Sequence, residues 1–175
     1  MILTIGMIMK NEEKNLPLCL EGIKPILEAI PSELIIVDTG STDNSVEIAK
    51  KYTDDVRYFE WCNDFSAARN VSLEGAKGEW YMFLDADERI TEGWIREAEE
   101  KLSNASDDVD AWICYYDNWF MGRMLRHGDA MRKTAILRVG RGEYERIEEN
   151  NWSKLDMEIH EHLHVGGRVG EIAAR

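Results

Sequence analysis

The chain reads as an α/β domain with a central, mostly parallel sheet flanked by helices. Three observations predict this. Between Ile2 and Asp87, short apolar runs without polar alternation are separated by stretches of helical periodicity, as expected of strands covered on both faces. Each crossover is long enough to bring the next strand back parallel to the last, with right-handed connections. The length of 175 residues, with 44% hydrophobic and 31% charged side chains, suits one domain able to bury its own core.

Ile2 to Met9 forms the first strand, apolar and rich in β-branched residues, and Lys10-Asn11-Glu12-Glu13 breaks it. From Asn15, Leu16, Leu20, Ile23 and Leu27 recur at helical spacing, with Cys19 and Ile26 beside them. Pro17 is tolerated because it lies in the first turn, and Pro31 marks the exit. Leu34 to Val37 is the second strand, followed by Asp38-Thr39-Gly40-Ser41-Thr42-Asp43. In that loop Thr42 or Asp43 is placed to cap a helix carrying Val46, Ile48 and Ala49. Val56 to Phe59 is a third strand, and Phe65 to Ala76 a helix carrying Arg69, with Gly78 as its terminal glycine.

The fourth strand, Trp80 to Leu84, runs into Asp85-Ala86-Asp87. Beyond it, Trp94 to Leu102 is helical and Ala111 to Phe120 is an aromatic-rich strand ending at Met121-Gly122. Met124 to Lys133 is basic and irregular, and Ala135 to Val139 is a strand. Arg141 to Trp152 is a charged loop or short helix. Glu158 to Val165, Gly166-Gly167 and Arg168 to Ala173 predict a hairpin. There are no repeats and no interdomain linker.

The net charge of −13 argues against nucleic acid and anionic membrane surfaces as partners. A phosphate-bearing substrate would need a divalent cation or local basic residues, for which Arg69, Arg123, Arg126, Arg132 and Arg138 are candidates. Cys19, Cys62 and Cys114 are odd in number and outside any CxxC pattern, which favours free thiols in a reducing compartment. Met1 to Met9 lacks the basic lead of a signal peptide, and no run approaches the ~20 apolar residues of a membrane span. The expected location is cytoplasmic, with the inner face of the membrane open to it.

Asp85 and Asp87 carry the chemistry. On a strand, residues i and i+2 project to one side, about 6–7 Å apart. Both carboxylates would then meet just beyond the sheet's carboxyl edge, where open α/β sheets bind ligands. Two hard oxygen donors there suit Mg²⁺ or Mn²⁺ completed by substrate phosphates. The plainer alternative is a solvated turn with an acidic start to the next helix. Neither GxGxxG nor GxxxxGK[ST] is present, which counts against dinucleotide-binding and P-loop readings. An EF-hand from Asp85 to Arg96 fails, since its sixth position is Ile90 and its twelfth Arg96.

Four ordered blocks resemble the family 2 glycosyltransferases of the GT-A fold: Met7-Ile8-Met9-Lys10-Asn11-Glu12-Glu13, Ile36-Val37-Asp38-Thr39-Gly40-Ser41-Thr42-Asp43, Phe65-Ser66-Ala67-Ala68-Arg69-Asn70 and Phe83-Leu84-Asp85-Ala86-Asp87-Glu88. In the second half, Phe120 to Gly128, Leu137-Arg138 and Ile159-His160-Glu161 resemble the branch that adds sugars to lipopolysaccharide core. The resemblance implies one GT-A-like domain over residues 1–175. Residues 1–90 would be its nucleotide-binding half and 91–175 its acceptor-side half, with relatives continuing into further acceptor-side helices. It implies metal-dependent, inverting transfer from a nucleotide-diphosphate sugar, with a UDP-hexose expected, to a hydroxyl of a glycan or lipid-linked acceptor.

By matched position, Asp85 would contact ribose or metal, with Ala86 beside it, and Asp87 the metal. Lys10, Glu12 and Asp38 would line the nucleoside pocket, with Arg69 beside the base or diphosphate. Thr39 stands where many relatives have a second Asp contacting uracil. Glu161 falls where the resemblance puts the base that takes the acceptor proton, and His160 is a further candidate metal ligand. Arg126, His127 and Arg138 are candidates for phosphate or acceptor. Asp38 is equally suited to an Asx turn and Arg69 to a solvated helix face. His160, His162 and His164 alternate, which leaves open a three-imidazole zinc site or exposed strand histidines. Two further classes remain as rivals, a catalytically silent nucleotide-sugar-binding module and a phosphohydrolase with Asp85 as nucleophile. Haloacid dehalogenase-like phosphatases carry DxD on the first strand, however, and here it follows the fourth.

Overall fold

The computed structural model describes residues 1–125, 131–145 and 162–174. The first half alternates as the sequence predicts: β1 (Leu3–Met9), α1 (Leu16–Ala29), β2 (Ser32–Asp38), α2 (Ser45–Ala49), β3 (Val56–Tyr58), α3 (Phe65–Leu73) and β4 (Trp80–Phe83). Then come α4 (Glu92–Ser103), β5 (Val109–Tyr115), β6 (Trp119–Phe120), β7 (Arg123–Met124), β8 (Arg132–Arg138), β9 (Gly142–Glu145), β10 (His162–Val165) and β11 (Arg168–Ile172). Seven strands form the main sheet in the order β11-β5-β8-β4-β1-β2-β3, and β8 alone runs antiparallel to its neighbours.

The strand order fixes where a ligand can bind. From β1 the chain winds outward through β2 to β3, then crosses back to add β4 on the other side of β1. The crevice at such a reversal, outside the carboxyl ends of the strands, is the binding position of open α/β sheets. β1, β2 and β4 are almost wholly buried, which explains their unbroken apolar runs. α1 covers one face with Leu16, Cys19, Leu20, Ile23 and Ile26. Pro17 is in its first turn, while Pro25 sits inside the helix, where buried Ile23 and Ile26 hold the segment despite the missing N–H.

Several expectations are corrected. α3 ends at Leu73, and Gly75 rather than Gly78 takes the left-handed conformation after it, with φ +78°. Gly78 is required for closeness instead: a Cβ there would lie 2.5 Å from the Thr4 backbone nitrogen. The aromatic stretch after α4 is two strands, β5 and β6, and the Arg141 region contains β9. The predicted terminal hairpin does not form. β10 pairs with β9 in a separate two-stranded sheet, whereas β11 pairs in parallel with β5 at the edge of the main sheet. The Gly166-Gly167 signal marks a change of sheet, with Gly167 so close to the Asp110 carboxylate that a Cβ has no room. No helix among the described residues is long and apolar enough to cross a membrane.

Candidate active site

The loops after β1 and β2 are stitched into one surface. Asn11, at φ +56°, accepts the Thr42 N–H on its side-chain oxygen at 2.7 Å and donates its own N–H to Ser41 Oγ at 2.9 Å. The Glu12 N–H donates to Ser45 Oγ at 2.7 Å and the Glu13 N–H to Asp43 Oδ2 at 3.2 Å. Asp43 also accepts from the Ser45 N–H at 2.9 Å, but the N-cap of α2 is Asn44, without a side-chain capping bond, rather than the expected Thr42 or Asp43.

Asp38 is 6% exposed, and its carboxylate accepts from the Gly40 and Ser41 N–H groups at 3.2 and 3.1 Å. It therefore forms the local turn as well as standing at the carboxyl end of β2. Thr39 gives both its N–H and its hydroxyl to the Met9 carbonyl, at 3.0 and 3.1 Å, which ties the second loop back to β1. Lys10 is exposed on the same rim, and Glu12 is half-buried with Oε2 accepting from the Asn15 amide at 3.0 Å.

Asp85 reaches this rim from β4, although not on the strand. β4 ends at Phe83, the Leu84 N–H donates to the Gly6 carbonyl, and Ala86-Asp87 is a turn closed by the Glu88 N–H on the Asp85 carbonyl at 3.0 Å. The strand alternation expected to align Asp85 with Asp87 is thus absent, because pairing with β1 stops at Phe83. Asp85 turns toward two cations of the chain itself. Its Oδ1 meets Arg69 at 3.5 Å and its Oδ2 meets Lys133 Nζ at 3.0 Å. Asp87 is exposed and Ala86 is buried beneath it.

Lys133 and Glu88 complete the cluster. Lys133 Nζ lies 2.6 Å from Glu88 Oε1, and Glu88 Oε2 accepts the Asp85 N–H at 3.1 Å. Burial pushes the Glu88 carboxyl above its usual value, opposed by Lys133 and reinforced by Asp85. Burial works against the Lys133 ammonium, but Asp85 and Glu88 outweigh it and hold its pKa above the ordinary lysine value. Two carboxylates and two cations leave these four side chains near neutrality within a chain of net charge −13.

Arg69 is positioned by stacking. Its guanidinium lies 3.6 Å from the centre of the Phe83 ring and 5.6 Å from that of Tyr144. The Asn70 side chain donates to the Tyr144 carbonyl at 2.8 Å and accepts its N–H at 3.1 Å, docking β9 onto α3 beside the cluster. Below, the Cys19 thiol points at the Asp85 carbonyl at 3.6 Å, and burial pushes it up to about 12, so it stays protonated. All three cysteines are free.

Arg138 is a correction. Because β8 runs antiparallel to β4, Arg138 pairs with Trp80 at the opposite edge of the sheet. There it binds Glu79 at 2.6 Å and stacks on the Trp80 ring. The same reversal brings Lys133, at the start of β8, to the Asp85 rim. Sequence reasoning missed Lys133, which lay at the end of a segment expected to be irregular. Arg123 and Arg132 are exposed. Glu161, His160, Arg126 and His127 lie outside the described residues, and so does part of the imidazole trio, of which His164 is exposed.

For a divalent cation, the donors fit one arrangement and not another. No group of three or more His, Cys, Asp or Glu side chains placed to hold a metal occurs among the described residues. Asp85 already meets two internal cations. The exposed Asp87 carboxylate is a hard oxygen donor suited to an ion whose remaining ligands are diphosphate and water oxygens.

Comparison with known proteins gives consistent matches. The profile described as Glycosyl transferase family 2 matches residues 4–161. The chain is 27% identical over 174 residues to the lipopolysaccharide core biosynthesis glycosyltransferase LpsC of Rhizobium meliloti, covering 96% of this chain and 59% of LpsC. It is 42% identical over 87 residues to the SPbeta prophage-derived glycosyltransferase SunS of Bacillus subtilis, covering 49% of this chain and 20% of SunS. The chain thus spans between a fifth and three-fifths of these relatives. Among solved structures, Staphylococcus aureus TarS 1–349 in complex with UDP-GlcNAc superposes with a TM-score of 0.58 at 24% identity, covering 73% of this chain and 37% of that one. The shared architecture is the GT-A fold.

Proposed function

The chain belongs to glycosyl transferase family 2, and from that premise we propose that it moves a sugar from a nucleotide-diphosphate donor to a hydroxyl acceptor. The donor is a UDP-hexose and the acceptor a glycan or lipid-linked saccharide of the lipopolysaccharide-core kind. The observation that carries this reading is the convergence of Asp85, Arg69 and Lys133 with the Asp38 loop on the rim where β1 and β4 diverge. The similarity to LpsC over nearly the whole chain supports the acceptor class, and a protein of the same fold is solved with UDP-GlcNAc.

In this reading the stitched Lys10–Glu12 and Asp38–Thr39 loops receive the nucleoside. Asp85, held by Lys133 and Arg69, accepts a ribose hydroxyl, and the Arg69 guanidinium offsets diphosphate charge. Asp87 would hold Mg²⁺ or Mn²⁺, with His160 as a further ligand, and an ion there would supply positive charge against the departing diphosphate. Glu161 takes the proton of the acceptor hydroxyl while its oxygen bonds to the anomeric carbon. The bond from that carbon to the diphosphate oxygen breaks, its electron pair leaves with the nucleotide, and configuration inverts. Transfer takes place on the cytoplasmic side.

The test is Glu161→Gln. It should retain UDP affinity within about twofold and lower transfer from UDP-glucose by at least about a hundredfold. Equal loss of binding and transfer would assign Glu161 a structural role and remove it from the mechanism.

A further inference from the structure

Two carboxylates on the rim converge on one point. Asp85 Oδ2 lies 3.0 Å and Glu88 Oε1 2.6 Å from the same atom, Lys133 Nζ. A point shared by two carboxylate oxygens suits a divalent cation, since metal–oxygen distances of about 2.0–2.1 Å for Mg²⁺ require each oxygen to move inward by under about 1 Å. Here the chain fills that point with an ammonium of its own.

The topology brings the ammonium there. β8 pairs antiparallel with β4 as far as Met82 opposite Ile136, so Lys133 stands beyond the paired stretch, over the turn into which β4 runs. Its Nζ lies 5.1 Å from the centre of the Tyr116 ring and 5.8 Å from that of Phe83, and the two aromatic side chains border the charge. Lysine suits such a place because its ammonium is a compact charge with three donors.

Every oxygen of the two carboxylates is then engaged. Asp85 Oδ1 meets Arg69 at 3.5 Å and Oδ2 meets Lys133, while Glu88 Oε1 meets Lys133 and Oε2 accepts the Asp85 N–H at 3.1 Å. Asp87 is exposed and forms no ion pair among the described residues. Two aspartates one residue apart therefore stand in different surroundings. A metal ion from solution would have to displace a tethered ammonium to reach Asp85, and the tether keeps that ammonium at high effective concentration. At Asp87 it meets one unengaged carboxylate, too few ligands for tight binding until phosphate oxygens join it.

We propose that Lys133 is a resident cation. It occupies a two-carboxylate site that would otherwise take Mg²⁺ or Mn²⁺, and so keeps Asp85 for the ribose and confines the metal to Asp87. The metal then enters with the donor's diphosphate rather than ahead of it. That last statement rests on the sugar-transfer reading, whereas the occupancy of the Asp85–Glu88 site by Lys133 does not.

The test is Mn²⁺ binding without nucleotide, read from the electron paramagnetic resonance signal of the free ion. The unaltered chain should bind Mn²⁺ weakly, and Lys133→Arg, which keeps a cation, no better. Lys133→Ala should bind one Mn²⁺ at least about tenfold more tightly than the unaltered chain, and adding Glu88→Gln should remove the gain. If Lys133→Ala does not fold in metal-free buffer, recovery of its fold by Mn²⁺ is the same readout. A Lys133→Ala variant that gains no Mn²⁺ affinity and recovers no fold overturns the proposal, as does a gain indifferent to Glu88→Gln. Mn²⁺ bound equally tightly by the unaltered chain and Lys133→Ala also overturns it. None of these measurements uses UDP, so a chain that binds no UDP defeats the sugar-transfer reading alone.

Discussion

At Lys133 a single ammonium reaches Asp85 at 3.0 Å and Glu88 at 2.6 Å from a side chain 32% exposed. Lys133→Met would leave Glu88, whose side chain is 17% exposed, without its cation. Partial exposure keeps the cost below that of a fully buried pair, at about 1–3 kcal/mol in urea unfolding. UDP affinity should fall about tenfold as Asp85 loses its orientation. An unchanged midpoint and unchanged affinity would show the cluster to be incidental. Asn11 carries a different load, a left-handed backbone and the bond from Thr42. Asn11→Ala should cost about 1–2 kcal/mol, and Asn11→Gly less because it keeps the backbone freedom. Equal costs would place the whole effect in the hydrogen bond. Asp38 and Arg69 were legible as site candidates through the sequence blocks that resemble the family, since by residue type alone each suits a turn or a solvated helix face equally well. Lys133 was not legible, because placing it requires knowing that β8 is inserted antiparallel.

Among the elements, the lead-ins of β1, β2 and β4 are clamped at the edge opposite the site. Glu33 on β2 accepts the Lys77 N–H at 2.6 Å and the Thr4 hydroxyl at 2.7 Å, and Thr4 Oγ1 accepts the Gly78 N–H at 2.9 Å. Burial alone would raise the Glu33 pKa, but these donors and the Lys77 ammonium outweigh it and hold it below its usual 4.5. A depressed carboxyl stabilises the fold above that ordinary value and loses the contribution as pH falls through the depressed one. Glu33→Gln should therefore lower the melting temperature near about pH 7 and narrow its difference from that near about pH 3. A parallel shift at both pH values would contradict the assignment. Gly78→Ala should destabilise by about 2–3 kcal/mol, since its Cβ would meet backbone at 2.5 Å and backbone cannot step aside. The sequence reads these first strands well because burial on both faces leaves plain apolar runs. It misreads β10 and β11 as a hairpin because a glycine pair between extended segments looks alike whether the chain folds back or changes sheets.

For the molecule as a whole, the elements of the first half are legible because each crossover is local and right-handed, while the reversal that sets β4 on the other side of β1 emerges only in the structure. The second half threads β8 between β4 and β5 and brings β11 to the far edge, and pairings so distant in sequence leave no periodic trace. That non-local half also decides which cations reach the site, sending Arg138 to the far edge and Lys133 to Asp85. A nucleotide diphosphate bound at the lip between β1 and β4 is the premise of every role proposed for these residues. Calorimetric titration of UDP with and without Mn²⁺, on the unaltered chain and on Asp87→Ala, tests that most directly. Metal-enhanced UDP binding that loses its metal enhancement in Asp87→Ala is the predicted result. Absence of UDP binding, or binding indifferent to both metal and Asp87, would contradict it.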